Sequence, residues 1–297
     1  MSQPTKERGS IEPAAIVAEI TAFVRTSPLN GMPEAKEYPI FDDPLVQFAD
    51  GDDPIFTQYK TIIAPTHLTP REALAKAYRK NPADMPEHIS VISWILPITE
   101  KTRKANRSQT EAPARVWSYT RWYGEKFHDT LRQHMVEFLV NRGYLAVAPF
   151  QQPFFATTSN EKGPYSNWSE RHVAYAAGLG TFSLSDGFIT ERGIAHRCGS
   201  IVTDLVLPAS PRTAEGPYSN CLLYVNASCK ACIARCPAGA ISEKGHDKLK
   251  CNAYLRQNLK YLLEELKVGN AGCGLCQTKV PCEAINPTRK LKRKARG

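Results

Sequence analysis

Nine cysteines are present, and eight of them fall between Cys221 and Cys282, while the first 197 residues contain none. No other feature constrains the chain as strongly. Disulfide-stapled domains are short, exported and cysteine-rich along their length. Here Met1 to Ser10 is polar and mixed in charge, with neither an apolar h-region nor a twin-arginine pair, and no later apolar stretch is long enough to span a bilayer. The reading is a cytoplasmic, non-membrane redox protein whose C-terminal third holds metal through thiolates.

The spacing says which metal chemistry. Cys229-Lys-Ala-Cys232-Ile-Ala-Arg-Cys236-Pro237 sets two thiolates three positions apart and a third before proline, in the manner of bacterial ferredoxin runs. The tight turn lets two sulfurs reach adjacent iron atoms, and the cysteine before proline serves the other cluster of a pair. Cys251, Cys273, Cys276 and Cys282 follow, the last after Pro281. A regular run would place its first cysteine at Asn226, so Cys221 is nominated instead, and the total matches two 4Fe-4S cubanes. Crossing the ligands gives one set of Cys221, Cys229, Cys232 and Cys282 and another of Cys236, Cys251, Cys273 and Cys276. Two structural zinc ions are the competing reading, since C-x-x-C pairs also build zinc ribbons. Cys198 stands outside both sets and reads as a small buried hydrophobe.

Upstream, Ser10 is a candidate N-cap for a helix carrying Ile16, Val17, Ile20, Phe23 and Val24, and the next ~60 residues, rich in Pro, Asp and Gly, read as irregular. The β-branched run Ile89 to Leu96, closed by Pro97, predicts a buried strand. A helix is predicted from about Tyr123 to Arg142 with Gly143 as its stop, then a strand over Tyr144 to Ala148. Gln151 to Trp168 suits a long loop, Glu170 to Ala177 a short helix, and Ser200 to Leu207 a strand. Strands interleaved with helices argue for an α/β core ahead of the cysteine module. The sequence contains no G-x-S-x-G, P-loop or dinucleotide-binding fingerprint that would supply a protein-borne nucleophile or nucleotide site.

Glu170-Arg171, Ala176-Ala177-Gly178-Leu179-Gly180, Thr190-Glu191-Arg192-Gly193 and Val202-Thr203-Asp204-Leu205-Val206-Leu207-Pro208, followed by the cysteines, resemble epoxyqueuosine reductases and the corrinoid-dependent reductive dehalogenases. The resemblance runs from about Trp117 to Asn286. It implies a cobalamin-binding α/β core over about 1–210, a ferredoxin-like double-cluster module over 211–286 and a basic tail over 287–297. It also implies electrons passing through two clusters to cobalt, with Gly178, Leu179, Gly180 and Thr203 near the cobalamin.

One departure stands out. The proton-donating acid of epoxyqueuosine reductases lies in an Asp-Ser-x-Pro-like segment before the Glu-Arg pair, where this chain has Lys162-Gly163-Pro164-Tyr165-Ser166-Asn167-Trp168. Tyr165 becomes the expected donor, as a tyrosine is in the dehalogenases, with His172 and His196 as relay candidates. Gly178-Leu179-Gly180 equally suits an ordinary helix C-cap.

Three functions stay open: a corrinoid- and iron–sulfur-dependent reductase acting on a small molecule or modified nucleoside, a ferredoxin-like carrier reducing a partner corrinoid protein, and a tRNA-modifying enzyme. The reductase would need an electron donor such as ferredoxin or flavodoxin. The formal charge is +9, and Arg289, Lys290, Lys292, Arg293, Lys294 and Arg296 supply six of the positive charges, so any tRNA contact is expected at that tail.

Overall fold

The computed structural model describes residues 8–36, 38–289 and 291. Its first helix, α1 (Pro13–Thr26), starts with proline in the first turn and buries Ile16, Ile20 and Val24 at helical spacing. Glu12 rather than Ser10 holds the N-cap position, without a side-chain capping bond.

The stretch expected to be irregular instead holds β1 (Leu45–Asp50), α2 (Pro54–Ile62) and α3 (Pro70–Ala77). Asp53-Pro54 and Thr69-Pro70 are helix starts, not loop punctuation. Asp53 Oδ1 accepts the Ile55 amide at 2.9 Å, Thr69 and Glu72 form a reciprocal capping box, and Pro54 and Pro70 sit in first turns where a missing N–H costs nothing.

Then come β2 (Ser90–Pro97), α4 (Glu100–Arg107), α5 (Arg115–Val140) and β3 (Ala146–Val147). A hairpin of β4 (Thr157–Asn160) and β5 (Gly163–Ser166) leads to α6 (Glu170–Ala176). A second hairpin, β6 (Gly180–Phe182) with β7 (Phe188–Thr190), precedes β8 (His196–Thr203). The cysteine-bearing remainder contains α7 (Leu222–Asn226), α8 (Ala231–Ala234), β9 (Ile241–Ser242), β10 (Gly245–His246), α9 (Lys248–Gln257) and α10 (Tyr261–Leu266).

The main sheet has the order β1-β2-β8-β3, with each neighbouring pair antiparallel. Helices cover both faces of this α/β core. On one, Ile92, Trp94 and Leu96 of β2 meet Phe127, Leu131, Met135 and Leu139 of α5; on the other, Val91 and Ile95 meet Leu74 of α3 and Val173 of α6. A strand buried on both faces reads as an unbroken apolar run, which is why β2 stands out in the sequence.

Two boundaries differ from expectation. The helix predicted from Tyr123 begins at Arg115, because its first turns bury Ser118 and Thr120 beside Trp117 and break the apolar period. Its stop is as predicted, with Gly143 at φ +85°. The strand predicted over Ser200 to Leu207 lies at His196–Thr203. Gly199 disguises it: a Cβ there would sit 2.1 Å from His128 Nε2 and 2.7 Å from the Trp94 ring, so the strand needs a residue that sequence reading counts against strands.

Candidate functional site

The nominated cysteines arrive from short elements. Cys221 caps α7, Cys232 lies in α8, Cys251 in α9 and Cys276 in a single 3-10 turn, Leu275–Gln277, while Cys229, Cys236, Cys273 and Cys282 lie in the connecting segments. A small apolar cluster of Leu184, Ile189, Ile194, Ile241 and Val280 packs against Cys221, Cys232, Cys236, Cys276 and Cys282, while Cys273 packs on the main core. The buried carboxylate of Glu283 anchors this part to the core, with Oε1 accepting from Arg107 Nη2 at 2.6 Å.

The thiols fall into two neighbourhoods. Cys221, Cys229, Cys232 and Cys282 line one cleft, which Cys276 also reaches. Burial pushes the Cys232 thiol up to about 11, and Cys221 and Cys229 add to the effect. Burial likewise raises Cys282, with Cys221, Cys232 and Cys229 as its neighbouring thiols. In the second neighbourhood burial pushes Cys273 up to about 11, helped by Cys251 and Cys236. Cys276 is raised by burial and then by Cys273, Cys251 and Cys236. Thiols whose burial and mutual repulsion raise them in this way ionise readily when a metal takes the charge. The Ala240 amide also points at Cys236 Sγ, at 3.3 Å. Among the described residues no three His, Cys, Asp or Glu side chains converge on a single ion site. A cubane takes one thiolate on each iron, whereas a zinc ion gathers its donors on a single centre.

Against this module lies a cavity of about 710 Å³. The segment expected to be a long loop supplies part of its wall, because it contains the β4–β5 hairpin. All four β4 residues are exposed, so no apolar alternation marks the hairpin in the sequence. Tyr165, on β5 opposite Thr158, lines the cavity, and its hydroxyl makes no hydrogen bond among the described residues. Tyr59 and Ile62 of α2, in the stretch expected to be irregular, contribute another wall.

His172 also lines the cavity. Its Nδ1 is 2.8 Å from Ser169 Oγ, and burial with the charge of Arg171 pushes its pKa down to about 3, so near neutral pH the ring is uncharged. His196 is elsewhere: it is buried, with Nε2 donating to the Phe188 carbonyl at 2.7 Å and burial pushing its pKa down to about 4. Cys198 Sγ sits 3.6 Å from His196 Nδ1, and burial pushes this thiol up to about 12, which suits an inert core residue.

Gly178, Leu179, Gly180 and Thr203 do not line this cavity. A Cβ on Gly178, at φ +78°, would meet the Pro211 carbonyl at 2.8 Å, and one on Gly180 would meet the Ile189 carbonyl at 2.2 Å. The close approach these glycines permit is to the chain's own backbone. Gly180→Ala is expected to destabilise the fold by ~1–3 kcal/mol through overpacking, read as a lower urea midpoint; an unchanged midpoint would refute that packing role. Thr203 is buried, and its Oγ1 accepts the Leu205 amide at 3.1 Å.

Sequence reading missed the polar network behind the cavity wall. Arg132 of α5 is 1% exposed, stacks 4.4 Å from the Phe150 ring that lines the cavity, and lies 3.5 Å from Glu170 Oε1. Glu170 Oε2 accepts from Ser200 Oγ at 2.6 Å. The only hint in the sequence is the i, i+4, i+7 spacing of Glu125, Asp129 and Arg132, which reads as a solvated face. Burial pushes Glu170 up to about 7. Burial pushes Glu125 the same way, but Arg197 and Arg132 outweigh it and bring the group to about 2.

A folded pKa near 7 for Glu170 lies above the unfolded glutamate value of ~4.3, so its contribution to stability is complete below that lower value and is lost as pH rises through about 7. Glu170→Gln removes the titration. Its urea midpoint is expected to fall less than wild type's between about pH 5 and pH 8; parallel curves would assign the dependence to another group.

No family model matches the chain. An epoxyqueuosine reductase of Bacillus anthracis is 34% identical over 119 residues, 38% of this chain and 29% of that protein. The chain therefore spans less than a third of the length of this curated relative. A solved epoxyqueuosine reductase aligns with 82% of this chain and 62% of its own at 19% identity and TM-score 0.46. The catabolic reductive dehalogenase NpRdhA aligns with 95% of this chain and 38% of its own at 16% identity and TM-score 0.50, a likeness of fold alone. Over the 119 matched residues, the likeness is to the epoxyqueuosine reductases named from the motifs. Among the described residues no helix is long and apolar enough to cross a membrane.

Proposed function

We propose that this chain is an oxidoreductase of the epoxyqueuosine reductase and reductive dehalogenase kind, with two 4Fe-4S clusters in the cysteine module and a corrinoid in the 710 Å³ cavity. One observation carries the reading. Phe182 and Asp186 line the cavity while Ser183, Leu184 and Ser185 line the cysteine cleft, so five consecutive residues form the wall between the two. Chemistry in the cavity and redox at the thiols are thereby held at short range. The cavity volume lies within the ~300–1,000 Å³ range of small-molecule and cofactor sites.

Cys221, Cys229, Cys232 and Cys282 would hold one cluster, and Cys236, Cys251, Cys273 and Cys276 the other. When bound, the clusters supply single electrons and the corrinoid a strongly reducing metal centre. The chain's own residues do the rest. Tyr165 Oη, without a hydrogen bond among the described residues, donates a proton to the bound substrate as its bond is reduced. His172, uncharged near neutral pH, accepts a hydrogen bond or orients water but carries no spare proton. A small molecule or a modified nucleoside is the substrate, and a ferredoxin or flavodoxin the donor. The tRNA contact expected of the basic tail falls largely outside the described residues; Arg289, within them, pairs with Glu191 at 3.2 Å.

Iron, sulfide, zinc and cobalt analysis of anaerobically purified protein, with an absorption spectrum, tests the reading. Equal iron and sulfide with retained cobalamin is the expected result. Zinc in place of iron refutes it, and iron without cobalamin retention transfers the function to an electron carrier.

A further inference from the structure

The lining of the large cavity falls into two chemical groups. One is aromatic, with Tyr59, Phe155, Tyr175 and Phe182 among its residues. The other carries three cations, Lys162, Arg171 and Lys248, and one carboxylate, Asp186. That carboxylate is already engaged, since its Oδ2 lies 3.2 Å from His246 Nδ1 and 3.9 Å from Lys248 Nζ. Arg171 Nη1 donates to the backbone carbonyl of Asp186, and its charge also acts on the Asp186 carboxylate, which therefore faces Arg171, Lys248 and His246 together. Lys162 forms no ion pair among the described residues.

Three separate elements bring these charges to one edge. Lys162 is in the turn of the β4–β5 hairpin, Arg171 is on α6 and Lys248 opens α9. The hairpin and α9 meet at a glycine: a Cβ on Gly163, at φ +103°, would lie 2.7 Å from Lys248 Cβ, so the backbone that carries Lys162 rests directly on Lys248. Arg171 and Lys248 act on the one carboxylate, Asp186, that His246 already engages, and Lys162 joins them through the contact of Gly163 with Lys248, so the lining carries more positive than negative charge. An incoming anion would meet a focused positive field on a partly enclosed wall.

We propose that this edge is an anion subsite: the ligand of the cavity lays a planar or apolar part against the aromatic side and seats a phosphate or carboxylate among Lys162, Arg171 and Lys248. The inference rests on the cavity being a ligand site, as in the function proposed above, but not on that ligand being a corrinoid. The anion has two possible sources, the phosphate in the nucleotide loop of a corrinoid or an acidic group on the substrate.

The test titrates the anaerobically purified full chain with benzoate, benzamide, hydroxocobalamin and cobinamide, which lacks the nucleotide-loop phosphate. Lys248→Met, Arg171→Met and Lys162→Met are each expected to weaken anionic probes by roughly 3–10-fold, with partial exposure of the charges setting the lower end. Benzamide binding should not change, and Arg171→Lys should restore most of what Arg171→Met loses. If the preference for hydroxocobalamin over cobinamide shrinks in the variants, the anion is the corrinoid's phosphate. If benzoate alone weakens, it is the substrate's acid group. A wild-type chain that binds benzoate but no corrinoid keeps the subsite and refutes the corrinoid reading. Unchanged affinity for every anionic probe in all three variants overturns the subsite.

Discussion

Cys276→Ala is expected to bring the iron content of anaerobically purified protein to near half that of wild type, and Cys232→Ala to do the same by emptying the other site. The expectation rests on how the thiols are grouped. Cys276 has Cys273, Cys251 and Cys236 as its main neighbours, whereas Cys232 shares its cleft with Cys221, Cys229 and Cys282. Thiolate is the required donor, and an alanine leaves one iron of a cubane without its protein ligand. The remaining cluster should stay visible by electron paramagnetic resonance after reduction. Full iron in both variants would exclude the assignment. Loss of all iron in both would mean that the two sites form only together, as expected if metal binding supplies much of the folding energy of this thinly cored module. Because Cys276 also reaches the cleft of the first set, Cys273→Ala is the cleaner partner for Cys232→Ala where the partition itself is in question.

Tyr165→Phe should lower turnover by ~10²–10⁴-fold while leaving ligand binding near wild type, the range over which a positioned general acid usually contributes. The substitution keeps the ring in the cavity wall and removes only the hydroxyl. That hydroxyl has no hydrogen-bond partner among the described residues, so no buried group is orphaned by its loss, and stability should hold. A matching fall in kcat with KM unchanged would place the hydroxyl in the transition state rather than in ground-state binding. Unchanged turnover would move the proton to another source. Water ordered by His172 is next in line, since that imidazole is held uncharged near neutral pH. Collapse of ligand binding would instead make Tyr165 a packing residue. An electron carrier has no step in which this hydroxyl matters, so the same variant separates the two functions.

How much of this could be read from the residue string depended on whether the signal was local. The β2 run and the α5 stripe of Phe127, Leu131, Met135 and Leu139 announce themselves because each element repeats its own period within a few residues. The capping signals at Asp53, Thr69 and Glu72 were equally local, yet they read as loop composition because helix starts and turns draw on the same Asp, Thr and Pro. The β4–β5 hairpin gave no signal at all. It is a two-stranded ribbon with an exposed face, and its contacts are with a cavity and with Lys248, more than eighty positions on.

The sequence by itself determined the chemistry available: eight thiols in ferredoxin-like spacing, and the apolar periods of the main strand and the longest helix. Donor type belongs to the side chain and spacing to the chain, so both survive without coordinates. The tertiary structure alone decided what stands next to what. It put α2, the β4–β5 hairpin, α6 and α9 around one cavity, gave Gly178 and Gly180 to backbone packing, buried Glu170 against Arg132, and left five residues between the cavity and the cysteines. These are contacts across tens to hundreds of positions, fixed by how two buried faces of one sheet pack, and no local period encodes them.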